Sequence, residues 1–305
     1  MKFSVYQRSE QGGRKQNEDR MGYTYTRSAA LFVVADGMGG HAHGELAAQI
    51  ALETFTEYFK QQAHPSLVDP REFLSKALLL AHHQILRFSN EHGMADSPRT
   101  TLVALVIQNG EANWVHCGDS RLYWLRDMQL VKRTVDHSYV EQKPQGANVT
   151  AEMLARIANR NVLFTCLGSP TKPIFEVSPS VALDHGDKFL LCSDGLWSTI
   201  REQEMVEVMC ASQVVQSVPS LIDMALHNGG RHSDNVTAIG LEWEGIKLKK
   251  SPQNEVVTDT LGHEVFASTV QNHLVDIDHL EAKDLDIERS LKEINEAIQK
   301  SLPKK

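Results

Sequence analysis

Five short stretches of this sequence offer acids, most of them beside an apolar run. Asp36 follows "LFVVA" and precedes Gly37, Asp194 closes "FLLCS" and precedes Gly195, and Asp119 closes "WVHCG". Asp234 stands just before "NVTAIGLEW", and "RKQNEDR" offers Glu18 and Asp19. Any one of these is an ordinary turn or strand-end residue. Five that converged on one spot would repel and raise one another's pKa values unless a cation lay among them. Oxygen donors select hard ions such as Mg²⁺ or Mn²⁺ over zinc, which prefers the histidines and cysteines that are not arranged for it here. Several carboxylates with a bare glycine carbonyl suggest a two-metal site, its ions about 3.5–4 Å apart. Such a pair bridges a water, turns it to hydroxide at neutral pH, and supplies the positive charge that a phosphate needs.

A second chemistry competes for the same turn. Gly37, Gly39 and Ala42 satisfy G-x-G-x-x-A between a strand-like run and a helix, as in a dinucleotide fingerprint. Asp36 would then put a negative charge close to the pyrophosphate. The fingerprint also requires a second parallel strand bearing an acid about 20 residues on. The chain runs instead into two helices, so the dinucleotide reading fails.

The elements that must position these acids follow from periodicity. "LFVVAD" reads as a buried strand and "HGELAAQIALETFTEYF" as an amphipathic helix. "DPREFLSKALLLAHHQILRFSNEHG" reads as a second helix, with Asp69 as N-cap, Pro70 at the first position and Gly93 near the stop. Asn109-Gly110 is a hairpin signal between two strands, and a third strand follows closely, which predicts an antiparallel meander. "SVALDHGDKFLLCSDG" reads as strand, turn, strand. Helices over Ser198 to Ala211 and Gln213 to Asn228 precede a last strand, "NVTAIGLEWE". Antiparallel strands with paired helices predict a layered α+β domain, residues 1–244.

Composition narrows the partners. Asp and Glu number 39 against 31 Lys and Arg, a net charge of -8, which gives no reason to expect nucleic acid or an anionic membrane. The N-terminal residues lack the pattern of a signal peptide, and "KALLLAHHQIL" is too short and too polar to span a bilayer. Cys117, Cys166, Cys192 and Cys210 are dispersed with no C-x-x-C pair, which argues against a zinc site or disulfides; Cys117 and Cys192 lie in strand-like runs and are expected as buried free thiols of a cytoplasmic protein.

Taken in order, "NED", "ADGMGGH", "TTLVALV", "CGDSRLY", "DHS", "CSDGLW" and "SDNVTAI" resemble the metal-dependent protein phosphatase 2C family, the "DGMGGH" form its bacterial members. The resemblance runs from Val5 to Trp243. It implies a four-layer α-β-β-α sandwich of two antiparallel sheets flanked by helix pairs, and hydrolysis of phosphoserine and phosphothreonine with Mn²⁺ or Mg²⁺. By the same resemblance, Asp36 bridges two ions, Gly37 gives its carbonyl to one, and Asp194 and Asp234 bind the other. Glu18 and Asp19 match the acidic pair near the second ion, and Asp119 matches the acid of a looser third. Arg14 matches the arginine that grips phosphate, a task suited to a planar guanidinium. Met38 stands where animal members carry a histidine read as general acid; His41 is the better bacterial match, ahead of His43, with a metal-bound water as the alternative acid. No covalent intermediate is expected, because neither a G-x-S-x-G elbow nor a catalytic cysteine motif is present.

The resemblance further implies phosphoprotein substrates, an opposing Ser/Thr kinase and a monomer. It matches Asp136 to Leu167 to a flap beside the active site. A non-catalytic phosphoprotein-binding relative and a metal-dependent hydrolase of small phosphorylated molecules are the alternatives. Residues 245–305 change character, with a polar linker and then Ile287, Leu291, Ile294, Ile298 and Leu302 on one helical face. That helix is expected to dock on its own domain, with partner binding as the alternative. Thr258 and Thr260 are candidate phosphorylation sites in a segment otherwise read as a solubilising extension.

Overall fold

The computed structural model describes residues 1–39, 43–138 and 163–245, together with the backbone of 267–268. Two antiparallel sheets lie face to face. The first runs, in spatial order, β1 (Phe3–Glu10), β11 (Val236–Trp243), β10 (Lys188–Cys192), β6 (Arg121–Arg126) and β7 (Gln129–Arg133). The second runs β12 (Ala267–Ser268), β2 (Arg20–Tyr25), β3 (Ala29–Ala35), β4 (Leu102–Gln108), β5 (Glu111–Cys117) and β8 (Glu176–Val177), with β9 (Val181–Ala182) also on β5.

Helices α1 (Gly44–Gln62) and α2 (Pro70–Glu91) cover the second sheet. On the first sheet lie the short α3 (Asp194–Trp197), then α4 (Glu202–Ala211) and α5 (Val214–Gly229). The layer order is therefore helix, sheet, sheet, helix, as expected. Strand β3 shows why. Leu31, Val33 and Ala35 pack under α1 and α2, while Ala30, Phe32 and Val34 face the other sheet, so every residue is apolar and buried. A strand covered on both faces reads as a continuous apolar run.

The start of α2 follows the predicted pattern. Asp69 accepts hydrogen bonds from the amides of Arg71 (2.8 Å) and Glu72 (3.1 Å), and Pro70 fills the first helical position, where no amide is needed. Asp69→Ala is expected to lower stability by about 1 kcal/mol, seen as a lower thermal midpoint with turnover unchanged. Asn109 and Gly110 both take positive φ (54° and 76°), the geometry of the tight turn between β4 and β5.

Three readings are corrected. The meander does not stay in one sheet: β4 and β5 pair in the second sheet, β6 and β7 in the first, and the chain crosses at Gly118–Ser120. Both partners are apolar toward the same core, where Trp114 and Trp124 approach with ring centres 6.4 Å apart, so β5 and β6 stack face to face. Likewise β9 joins the second sheet and β10 the first. The helix expected from Ser198 begins at Glu202, because Asp194–Trp197 forms its own turn and Arg201 is extended (φ -67°, ψ 143°). Strands β1 and β2 have no counterpart in the sequence reading, since mixed polarity interrupts any apolar run.

The boundary drawn at 244 falls just past the end of β11. The helix expected at Ile287 to Leu302, with Thr258 and Thr260, lies outside the described residues. The backbone of Ala267 and Ser268 pairs with Tyr25 and Thr24 at the edge of β2.

Candidate metal centre

Antiparallel register gathers the acids at one end of the sandwich. Arg20 pairs with Ala35, so Glu18 and Asp19, just before β2, lie beside Asp36, just after β3. In the other sheet Cys192 pairs with Ala238 and Glu10 with Val236. Asp194 after β10, Asp234 before β11 and Arg14 after β1 therefore emerge together. Asp119 sits on the crossing between the sheets. A cleft of about 770 Å³ opens there, lined in part by Arg14, Glu18, Asp36, Asp119, Asp194 and Asp234. Asp19 lies behind its wall, 3% exposed, and accepts a hydrogen bond from Ser193 Oγ at 2.8 Å.

Local contacts fix each position. The Asp36 carbonyl accepts from the Thr101 amide (2.9 Å) and from Thr100 Oγ1 (2.8 Å). A side chain at Gly37 would bring a Cβ within 2.6 Å of the Gly44 carbonyl oxygen and 2.7 Å of that of Glu18, so only glycine fits this approach. Asn235, given no role in the sequence reading, holds the loop that carries Arg14. Its Oδ1 accepts from the Glu18 amide (2.9 Å), and its Nδ2 donates to the carbonyls of Gln11 (2.8 Å) and Gln16 (3.0 Å). Its signal in the sequence was its place in "SDNVTAI", between Asp234 and a largely apolar strand.

The electrostatics are those of crowded acids. Removal from water, and then the charges of Asp19, Asp194, Asp119 and Asp234, push Asp36 well above the usual carboxylate range. Burial with neighbouring aspartates raises Asp194 to about 8, Asp119 to about 7 and Asp19 to about 6. Glu18 is raised as well, and its enclosed Oε2 has no hydrogen-bond partner among the described residues. Arg14, at the rim, donates from Nη2 to Asp234 Oδ2 at 2.5 Å while its side chain stays 57% exposed. Among the described residues, no three acids, histidines or cysteines already close on a single point as a preformed cage. An orphaned carboxylate oxygen among all-oxygen donors around an open cleft instead fits hydrated divalent ions, which keep part of their water shell.

Of the expected site residues, the structure brings Arg14, Glu18, Asp36, Gly37, Asp119, Asp194 and Asp234 to the cleft and sets Asp19 directly behind it. His41 lies outside the described residues, and among those described no histidine lines the cleft. His43 ends in the loop before α1 at φ 65°, its Nδ1 3.5 Å from Glu45. Cys117 and Cys192 are buried free thiols, and burial pushes the Cys117 thiol up to about 12, so neither is a nucleophile.

An α-β-β-α sandwich whose sheet ends gather acids and one arginine around a cleft defines a class, the layered α+β proteins with a site suited to cations and phosphate. The chain belongs to the protein phosphatase 2C family, whose profile matches residues 7–228. It is 30% identical over 233 residues to the serine/threonine protein phosphatase PstP of Mycobacterium tuberculosis, covering 76% of this chain but only 43% of that relative's length. The serine/threonine phosphatase stp of Listeria monocytogenes is 29% identical over 75% of this chain and 91% of its own. The solved catalytic domain of PstP in complex with two manganese ions superposes with a TM-score of 0.65 at 30% identity, covering 79% of this chain and 97% of that one.

Proposed function

We propose that this protein is a metal-dependent serine/threonine protein phosphatase that uses two divalent ions and forms no covalent intermediate. The observation that carries the reading is the convergence of Asp36, Asp194, Asp234, Asp119 and Glu18 from two different sheets onto one cleft with Arg14 at its rim. Family membership and relatives named as Ser/Thr phosphatases support it.

In this reading Asp36, the Gly37 carbonyl, Asp194 and Asp234 would hold the two ions. Glu18 would add a further donor, with Asp19 behind it, and Asp119 would hold a looser third ion. Bound Mn²⁺ or Mg²⁺ supplies positive charge for the phosphoryl oxygens and a water of lowered pKa. The chain's own residues do the rest. Arg14 has donors to spare beyond the one on Asp234, and its exposed guanidinium can take two phosphate oxygens in a fork. The raised acids keep that pair of ions in place of protons. The leaving seryl or threonyl oxygen must gain a proton, and His41 is the candidate donor.

A rim that reaches solvent through Arg14, Lys15 and Gln16 suits a phosphorylated loop of another protein. Opposition to a Ser/Thr kinase, action as a monomer and a cytoplasmic setting belong to the same proposal. Among the described residues, no helix is long and apolar enough to cross a membrane.

Hydrolysis of a phosphothreonine peptide with Mn²⁺, and its loss in excess chelator, is the direct test. Arg14→Ala is expected to lower kcat/KM by about a hundredfold or more, as loss of a bidentate charged contact to the transition state would. Peptide binding without turnover in Mn²⁺ would instead mark a phosphoprotein-binding relative. Turnover of small phosphate esters alone would mark a small-molecule hydrolase.

A further inference from the structure

Three motif segments meet at one arginine outside the cleft lining. Arg121 donates from Nε and Nη2 to the two carboxylate oxygens of Asp136, at 2.8 and 2.6 Å. Its guanidinium carbon lies 3.5 Å from the centre of the Trp197 ring. Trp197 in turn donates from Nε1 to the Asp119 carbonyl at 2.9 Å. Trp197 closes the same four-residue turn that Asp194 opens. The stack therefore spans the turn bearing Asp119 and the turn bearing Asp194.

The same junction fastens the chain on both sides of residues 139–162. The Gly118 amide donates to His137 Nδ1 (3.2 Å), the His137 amide donates to the Gly118 carbonyl (2.9 Å), and the Phe164 amide donates to the His137 carbonyl (3.1 Å). The Arg121 and Asp136 side chains are only 13% and 7% exposed. Burying an ion pair is weak support for stability, since well-packed apolar residues of like volume often do as well or better. What a planar fork stacked on an indole does supply is fixed geometry.

We propose that Arg121 is a positioning residue, which with Asp136 and Trp197 sets the place of Asp119 relative to the turn bearing Asp194, and so the affinity of the looser ion that Asp119 would hold. The inference rests on the reading of those two acids as metal donors. It adds a group that never touches the ions or the phosphate.

Two variants probe it in the full chain. Arg121→Lys keeps the charge but loses the fork and the stack. Trp197→Phe keeps a ring under the guanidinium but removes the donor to Asp119, and it keeps the test decisive should the lysine variant fail to fold. Mn²⁺ binding is measured by titration calorimetry well below the thermal midpoint, alongside kcat over a range of Mn²⁺ concentrations. Both variants are expected to weaken the weakest Mn²⁺ site about tenfold or more, as outer partners of metal donors do, with kcat at saturating Mn²⁺ close to the parent. Arg126→Lys is the control. Arg126 makes an equally bidentate pair with the fully buried Asp187 (2.7 and 2.6 Å) away from the cleft, so that variant should lower the thermal midpoint and leave Mn²⁺ affinity unchanged. Unchanged Mn²⁺ affinity in both test variants, or an equal loss in the control, overturns the positioning role alone. A parent protein that binds no Mn²⁺ overturns the metal reading and this inference with it.

Discussion

Asp36→Asn should abolish high-affinity Mn²⁺ binding and lower turnover by about a thousandfold or more, with the fold intact. The magnitude follows from several kcal/mol of transition-state charge stabilisation by the ions, at about 1.4 kcal/mol for each factor of ten. Asp36 is the acid on which the others act, since Asp19, Asp194, Asp119 and Asp234 all raise its pKa. An amide of the same shape removes that repulsion. In chelator, the variant should therefore melt no lower than the parent. Titration calorimetry, peptide turnover and thermal melts read the three effects separately. Full activity would place the ions elsewhere, and a collapsed melt would make Asp36 a structural residue.

The second large effect concerns pH and metal together. In chelator, the protein should lose stability as pH rises from about 4 to about 8. Asp19, Asp119 and Asp194 have folded values of about 6, 7 and 8, all above the unfolded value near 3.9. Between those limits the folded state keeps protons that the unfolded state has released, so the slope of stability with pH is negative. Below about pH 4 the contribution is whole, and above about pH 8 it is gone. Each group contributes to the slope between its unfolded and folded values, and the three titrate as one coupled set. Mn²⁺ reverses the trend, because it binds the deprotonated acids and competes with protons. Its stabilisation should be small at pH 5 and large at pH 8. Thermal midpoints across that range, in chelator and in Mn²⁺, check both signs. A chelator curve that is flat or rises with pH would contradict the crowding of these acids.

What could be read from the chain beforehand follows a physical rule. Asp36 and Asp194 announce themselves because a strand buried on both faces is an unbroken apolar run, and the acid that ends it is conspicuous. Asp69 and Asn109-Gly110 are legible because caps and tight turns are local hydrogen-bonding problems. The division into two sheets is not, since a sharp turn such as Gly118–Ser120 looks like a hairpin whether the next strand pairs beside its predecessor or stacks on it. That choice belongs to Trp114 and Trp124 meeting across the core. Asn235 escapes for a related reason, as its partners Gln11, Gln16 and Glu18 are more than 200 residues away in sequence. Strands β1 and β2 escape because their half-buried faces mix polar and apolar residues.

The crossing at Gly118 has a mechanical consequence. Asp36 and Glu18 ride on one sheet, Asp194 and Asp234 on the other, and the sheets are separate hydrogen-bonded ladders. The gap across the cleft is thus gauged by the thickness of the filling between two plates, where Phe32 and Trp114 of one meet Phe3 and Trp124 of the other. The molecule behaves as a caliper whose jaws carry the acids and whose spacer is a slab of aromatic volume. A thicker or thinner spacer deep in the sandwich would re-gauge the jaws without any change at the cleft.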